Sequence, residues 1–368
     1  MYSISFILKY ITFVTIAGVV AIGYYRRLIL TFRIFGKPKK RDFHKNPLPN
    51  SVGIVFAILF LIGSLPLIPY VKNIQTFLAL FICIFFLSLI GFWDDLKIMN
   101  TRKKLVYQII LIIITVIAND LVLKNLHGFL GINEVPSLLG LLLSVFIGVF
   151  MVNAFNLIDG IDGLAGFISI IAFASFAIIF WVLDYKFYFG LCLLLIGIIL
   201  AYLPFNFSRK RKVFMGDSGS LFIGFIIFIM TMIVVTNMEP IDTSLIHRSI
   251  LPIAPMTIFL IPMVDSLSIY TYRLSLGVSP FAPDRLHIHH LALRITNSHL
   301  MSSIGISSIN LFLIALFSYL AFQMHHTCFI GLFFGVFFGL VFFTIYLRIR
   351  LKRIARKKYH ERYPYIQG

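Results

Sequence analysis

The segment SLLGLLLSVFIGVFMVNAFNLIDGIDGLAGFISIIAFASFAIIFWVL, residues 137–183, consists of two apolar runs separated by a short polar stretch. Each run is long enough to cross about 30 Å of hydrocarbon as a helix. The polar stretch holds two Asn and two Asp, although a carboxylate near hydrocarbon costs roughly 2.5–3.5 kcal/mol on insertion scales. The segment therefore predicts two membrane helices. The connection between them lies at the membrane edge, and its carboxylates are expected to have a function there.

The same apolar character extends over all 368 residues. Hydrophobic residues make up 60% of the chain and charged residues only 12%, against about 25% charged in a soluble domain. We predict an all-α, polytopic integral membrane protein with a single membrane-embedded domain, 1–368, that ends in a basic tail, 348–368. The roughly eleven predicted spans are 3–24, 52–70, 75–93, 104–119, 137–156, 163–183, 187–205, 219–236, 249–268, 301–322 and 327–347.

The formal net charge of +18 has an uneven distribution. Lys and Arg concentrate in 25–51, 94–103, 206–218, 269–300 and the tail. The connections on the other side carry only Lys72, Lys124, Lys186 and Arg248. This is the positive-inside pattern of membrane proteins, so the charge indicates contact with membrane lipids and not with nucleic acid. It predicts an outer N-terminus and a cytoplasmic C-terminus.

Acidic residues from several cytoplasmic segments lie close to the predicted span ends. They are Asp94, Asp95, Asp159, Asp162, Asp217, Asp265 and Asp284. Carboxylate oxygens favour Mg²⁺ or Mn²⁺ over zinc, and Mg²⁺ usually works together with substrate phosphates. The convergence therefore predicts a site for phosphoryl transfer between a soluble donor and a lipid acceptor.

Each motif also has a plainer interpretation. The pair Asp94–Asp95 could be part of a polar loop and be neutralised by Lys97 or Arg102. Asp217 could simply be the N-cap of the following helix, with no chemical role. The Asn and Asp residues of 153–162 recur every three positions and so can share one helix face, although a single DG would be an ordinary turn.

Histidines and basic residues supply candidate phosphate contacts. His287, His289 and His290 could bind a phosphate, since HxHH is only a weak zinc signal. His44 lies in the basic loop 37–49, which could also simply attract anionic headgroups. The stretch RIRLKRIARKK, 348–358, is best explained as a lipid-facing anchor.

The polar motifs together resemble those of a known family. GFWDDLK (91–97), NAFNLIDGIDGLAG (153–166), VFMGDSGSLFIGF (213–225) and SPFAPDRLHIHH (279–290) match, in order and spacing, the polyprenyl-phosphate N-acetylhexosamine-1-phosphate transferases of glycosyltransferase family 4. The resemblance implies transfer of a sugar-1-phosphate from a UDP-sugar, usually UDP-N-acetylglucosamine, to undecaprenyl phosphate, with release of UMP and a need for Mg²⁺ or Mn²⁺. It also implies the bacterial cytoplasmic membrane and the start of a cell-envelope polysaccharide, such as lipopolysaccharide O-antigen or a cell-wall linkage unit.

The resemblance also assigns residues to roles. It implies Asp217 as the metal ligand and Asp94, Asp95, Asp159 and Asp162 as catalytic residues. The residues that it implies for substrate binding are His44, Asn156, Arg285, His287, His289 and His290. Two positions depart from the family's first loop, with Asp42 in place of the usual Lys and Val52 in place of a Gly.

Several alternatives remain open at this level. The donor could be another UDP-N-acetylhexosamine, and the reaction could be direct or pass through a covalent Asp–phosphosugar. The run His287-Ile288-His289-His290 disfavours the peptidoglycan branch, whose three histidines are consecutive. A divalent-cation transporter is less favoured, because its acids would lie near the membrane midplane. A homo-oligomer is compatible with the sequence.

Overall fold

The computed structural model describes residues 4–32, 51–71, 74–97, 99–236, 250, 252–279 and 287–362. Two predicted substrate-binding residues, His44 and Arg285, lie outside these ranges, as does Asp284.

The described chain is a bundle of helices, because backbone groups in hydrocarbon must find hydrogen-bond partners within their own segment. The helices are α1 (Ile4–Phe32), α2 (Gly53–Ser64), α3 (Ile74–Leu96), α4 (Thr101–Ala118), α5 (Ser137–Ile158), α6 (Leu164–Val182), α7 (Lys186–Phe207), α8 (Gly216–Thr236), α9 (Ile253–Ile258), α10 (Leu260–Ser275), α11 (Ile288–Thr296), α12 (His299–Gln323) and α13 (His326–Arg362). A 3₁₀ helix, Leu65–Tyr70, continues α2. The prediction of a polytopic helical membrane protein is confirmed.

Nine helical segments within the described ranges are long and apolar enough to span a membrane. The predicted spans 104–119 and 249–268 do not meet this measure. The predicted span 104–119 lies in one continuous helix, α4, but this helix has three basic residues in its first turn. In the predicted span 249–268, the described residues form two helices, α9 and α10, which are separated at Phe259. A total of eleven spans therefore stays a prediction.

A small β-hairpin lies between α4 and α5, where only a loop was predicted. Strands β1 (Asn125–Phe129) and β2 (Ile132–Glu134) pair antiparallel. The Phe129 ring packs against Phe334 of α13, with 6.0 Å between the ring centroids. The hairpin joins the ends of α4 and α5 that lie farthest from the polar motifs.

Helix α8 forms the centre of the bundle and brings the MGDSGS motif into the structure. Nearly all of its residues are buried, between α3 and α5 on two sides and α2 on a third. A Cβ placed on Gly53 of α2 would lie 1.9 Å from the backbone nitrogen of Gly219. The two backbones therefore touch at Gly53, one residue after Val52, where the family pattern has its usual Gly.

Candidate active site

Carboxylates from two helices meet at one lysine. Asp94 lies at the end of α3, Asp217 in the first turn of α8 and Lys104 in the first turn of α4. The Lys104 Nζ atom is 3.1 Å from an oxygen of Asp94 and 3.1 Å from an oxygen of Asp217. The Asp94 carboxylate also accepts a hydrogen bond from the Met99 backbone N–H at 2.6 Å. These residues form a charged cluster at the end of the bundle.

Lys104 is a site residue that the sequence analysis did not predict. The candidates for neutralising the acidic pair were Lys97 and Arg102, but both are exposed, and the Lys97 ammonium lies over the Trp93 ring instead. The side chain of Asn100 accepts from the Arg102 N–H and so begins α4. This cap places Lys104 in the first turn of α4, and it was readable in the sequence NTRKK.

Asp95 has a different environment from its neighbour. Successive residues on a helix point about 100° apart, so Asp95 faces α8. One of its oxygens accepts the backbone N–H of Asp217 at 2.8 Å and the other accepts that of Ser218 at 3.1 Å. Asp95 therefore caps α8 from another helix and holds Asp217 in place. Its predicted catalytic role stays a prediction, but these contacts are those of a positioning residue.

Asn156 at the end of α5 completes the environment of Asp217. Its Nδ2 atom donates to Asp217 at 2.8 Å and to the Ser220 hydroxyl at 2.7 Å. Asn153, one turn earlier, donates instead to Gln108 at 3.0 Å and to the Val149 carbonyl. The three-residue repeat therefore places both amides along one side of α5, but only Asn156 reaches the charged cluster.

Asp159 and Asp162 lie in the turn between α5 and α6. Burial, together with the nearby charges of Asp217, Asp95 and Asp162, raises the pKa of Asp159 to about 8. Asp162 instead has cationic partners, since Lys212 Nζ lies 2.5 Å and His299 Nδ1 lies 3.3 Å from its carboxylate. The DG turn thus links the charged cluster to a second cation, Lys212, on the connection between α7 and α8.

Asp265 belongs to a separate buried network. Its oxygens accept from His287 Nδ1 at 2.8 Å, from the Ile288 backbone N–H at 2.9 Å and from Arg348 Nη2 at 2.8 Å. Asp265 is therefore not among the acids of the charged cluster, contrary to the prediction. The prediction of a lipid-facing anchor is also wrong for Arg348, whose side chain is fully buried.

The histidine motif contacts the DG turn. The His287 and His289 rings stack nearly parallel, with centroids 5.5 Å apart, and His290 lies beside His289. A Cβ on Gly160 would lie 2.0 Å from His289 Nε2, so the imidazole packs directly on that glycine. Burial, with the neighbouring His290, holds the pKa of His289 well below its usual range, and this ring is neutral at physiological pH.

The charged cluster has the chemistry of a site for Mg²⁺ or Mn²⁺. Within the described ranges, no group of three or more His, Cys, Asp or Glu side chains is arranged to hold a metal ion by itself. Mg²⁺, however, commonly takes one or two carboxylates and completes its shell with phosphates and water. Asp94 and Asp217 are two such carboxylates, and they already converge on a cationic atom. The residues therefore fit a divalent cation bound together with a phosphate substrate.

The chain is similar to known proteins over the part that carries these residues. Residues 77–235, which include the acidic pair, the DG turn and the start of α8, match the model of Glycosyl transferase family 4. The undecaprenyl-phosphate alpha-N-acetylglucosaminyl 1-phosphate transferase of Salmonella typhi is 33% identical over 275 residues, which cover 73% of this chain and 71% of the relative.

Two further relatives have the same or a related name. The enzyme of the same name from Escherichia coli K12 is 31% identical over 276 residues, covering 73% of this chain and 71% of the relative. A decaprenyl-phosphate N-acetylglucosaminephosphotransferase of Mycolicibacterium smegmatis is 30% identical over 305 residues, covering 76% and 73%. With its helical membrane bundle and the motifs in the matched region, this chain belongs to glycosyl transferase family 4.

Proposed function

We propose that this protein transfers N-acetylglucosamine 1-phosphate from UDP-N-acetylglucosamine to undecaprenyl phosphate and releases UMP. The convergence of Asp94 and Asp217 on Lys104, at one end of a membrane bundle, is the observation that carries the proposal. Phosphoryl transfer depends mainly on positioning and on charges that surround the phosphates. The names of the relatives support the sugar and the lipid acceptor.

The charge distribution supports a cytoplasmic site. The cluster lies beside the basic connections 94–103 and 206–218, which the positive-inside pattern assigns to the cytoplasm. A nucleotide sugar is available on that side, and the lipid acceptor presents its phosphate at the same membrane edge. We therefore place the protein in the bacterial cytoplasmic membrane, with its active site facing the cytoplasm.

Asp94 is the residue that we assign to the lipid phosphate. It lies at the membrane end of α3 and is held by Lys104 and the Met99 N–H. From there it orients an acceptor phosphate oxygen, and accepts its proton if one is present, for attack on the β-phosphorus of the donor. The bond from the β-phosphorus to the bridging oxygen breaks, and UMP departs with that oxygen.

Two lysines and a divalent metal ion would balance the negative charge of the diphosphate. Lys104 is paired with Asp94 and Asp217, and Lys212 is paired with Asp162 of the DG turn. These ammonium groups stabilise phosphate oxygens as charge develops on the leaving UMP. Mg²⁺ or Mn²⁺, held by Asp217, would add positive charge at the diphosphate when bound.

The remaining site residues surround the donor. Asn156 orients Asp217, and the stacked histidines His287, His289 and His290 adjoin the DG turn with Asp159 and Asp162. We assign this histidine and DG surface to the donor nucleotide sugar. The predicted contacts of His44 and Arg285 with phosphates remain part of the proposal. The lipid-linked product would start a cell-envelope polysaccharide, such as an O-antigen.

The test measures UMP release by purified protein in detergent with undecaprenyl phosphate, Mg²⁺ and a panel of UDP-sugars. Asp217→Asn should lose at least about 100-fold in rate. The matched control is Asp120→Asn, because Asp120 is exposed, lies just after the far end of α4 and pairs with Lys124, four residues away. Its rate should equal that of the wild type.

UMP that appears only with lipid, divalent cation and UDP-N-acetylglucosamine together would establish the reaction. Release with a different UDP-sugar would keep the chemistry and change the donor. If well-folded protein released no UMP from any donor, the proposal would be wrong. Initial rates at varied donor and acceptor separate the two mechanisms, because a covalent Asp intermediate gives ping-pong kinetics.

A further inference from the structure

The last helix carries a buried charge at the site end of the bundle. Arg348 of α13 is fully buried, whereas Arg350, two residues later on the same helix, is exposed. A guanidinium in such a place is costly unless charged and polar groups surround it. Its position therefore requires an explanation other than attraction to lipid headgroups.

Two neighbouring groups on α10 receive the Arg348 guanidinium. The Nη1 atom donates to the Ser268 hydroxyl at 2.6 Å, and the Nη2 atom donates to Asp265 at 2.8 Å. The two nitrogens of the planar guanidinium thus hold α13 against two residues of α10 at once. Lysine has a single nitrogen and cannot reproduce this geometry.

Asp265 transmits this placement to the histidine motif. The oxygen that accepts from Arg348 also accepts the Ile288 backbone N–H, which lies in the first turn of α11. The other oxygen holds the His287 ring by its Nδ1 atom. His287 stacks on His289, and His289 packs on Gly160 of the DG turn. A continuous series of contacts therefore joins α13 to the DG turn.

We propose that Arg348 is a positioning residue for the histidine segment 287–290, acting through Asp265. Without the guanidinium, the Asp265 carboxylate keeps, among its donors in the described part of the chain, the Ile288 amide and the His287 imidazole, and the start of α11 is held less firmly. The last helix is then part of the machinery that places the donor-binding histidines. This inference rests on the proposed function.

The kinetic test compares Arg348→Met and Arg348→Lys with the matched control Arg350→Met. Both Arg348 variants should raise KM for UDP-N-acetylglucosamine about 10-fold or more, since a small displacement of a binding group has effects of this size. KM for undecaprenyl phosphate should stay unchanged, and Arg350→Met should behave as wild type. A variant that merely folds less well loses active enzyme, which lowers kcat and leaves both KM values as they were.

A second measurement does not depend on activity. Hydrogen–deuterium exchange should be faster in Arg348→Met at Ile288 and the rest of the first turn of α11, and unchanged in Arg350→Met. Adding Asp265→Asn to Arg348→Met removes the uncompensated charge and should recover most of the lost thermal stability. Unchanged exchange in α11 would overturn the proposal, whatever the wild-type activity. Faster exchange with an unaltered donor KM would overturn its link to the reaction, while UMP release by the wild type would still support the proposed function.

Discussion

The carboxylate of Asp95, at the end of α3, accepts a hydrogen bond at 2.8 Å from the backbone N–H of Asp217, at the start of α8. Two residues 122 positions apart in the chain are thereby held in one place. The two adjacent aspartates have different roles. Asp94 faces the charged cluster, and Asp95 caps the N-terminus of α8, where Asp217 lies.

Asp95→Ala should therefore destabilise the protein as well as inactivate it. Loss of a capping carboxylate at a helix N-terminus costs about 1–2 kcal/mol. Thermal unfolding in detergent should show a lower midpoint for Asp95→Ala, with a smaller loss for Asp95→Asn, which keeps one acceptor oxygen. A midpoint equal to that of the wild type in Asp95→Ala would contradict the capping role.

Lys104→Gln should abolish most of the activity. Its ammonium contacts both Asp94 and Asp217, so its loss leaves two close carboxylates to repel each other and removes a cation from the phosphates. We expect kcat/KM to fall about 100-fold or more. The neighbouring Lys103 is exposed, so Lys103→Gln should stay within about threefold of wild type. Equal rates in the Lys104→Gln and Lys103→Gln variants would show that Lys104 has no role in the reaction.

Gly160→Ala tests the contact between the DG turn and the histidine motif. The new methyl group would lie 2.0 Å from His289 Nε2, so the ring must move away from the turn. UMP release should fall about 10-fold or more. Gly305→Ala is the control, because a Cβ there meets no atom within 4 Å. The contact would be unimportant if Gly160→Ala kept the wild-type rate.

Asp159 should make stability depend on pH. Its pKa is raised from 3.8 to about 8 in the folded protein, so the folded state holds a proton that the unfolded chain has released. Stability therefore falls as pH rises between about 4 and 8. Asp159→Asn has no group to titrate, so in EDTA its unfolding midpoint should exceed that of the wild type by a margin that widens from about pH 5 to about pH 8.

Asp159→Asn should also abolish UMP release, because we assign the Asp159 carboxylate to the surface that binds the donor nucleotide sugar. Asp120→Asn, which alters an exposed acid, should follow the wild type at each pH. A margin for Asp159→Asn that stayed constant across this range would mean that Asp159 does not titrate in it.

Hydropathy predicted the helical architecture well. A membrane span must form the hydrogen bonds of its backbone N–H and C=O groups within itself, so a long run of apolar residues leaves few alternatives to a helix. The described helices accordingly lie close to the predicted spans. The hairpin between α4 and α5 was missed because its strands, five and three residues long, are stabilised by packing against α13 and carry no strong local pattern.

The sequence by itself determined a multi-pass membrane bundle with carboxylates, an amide and histidines gathered at one end, because polar residues next to hydrocarbon are few and costly. Tertiary structure alone decided which of them meet. In the tertiary structure, Lys104 lies between Asp94 and Asp217, and Asp95 binds the N-terminus of α8. Asp265 lies outside the charged cluster, in a buried network with Arg348. These partners lie on different helices. A rotation of about 100° around a helix axis, as between Asp94 and Asp95, separates a contact with the cluster from a contact elsewhere, and no local pattern in the chain specifies it.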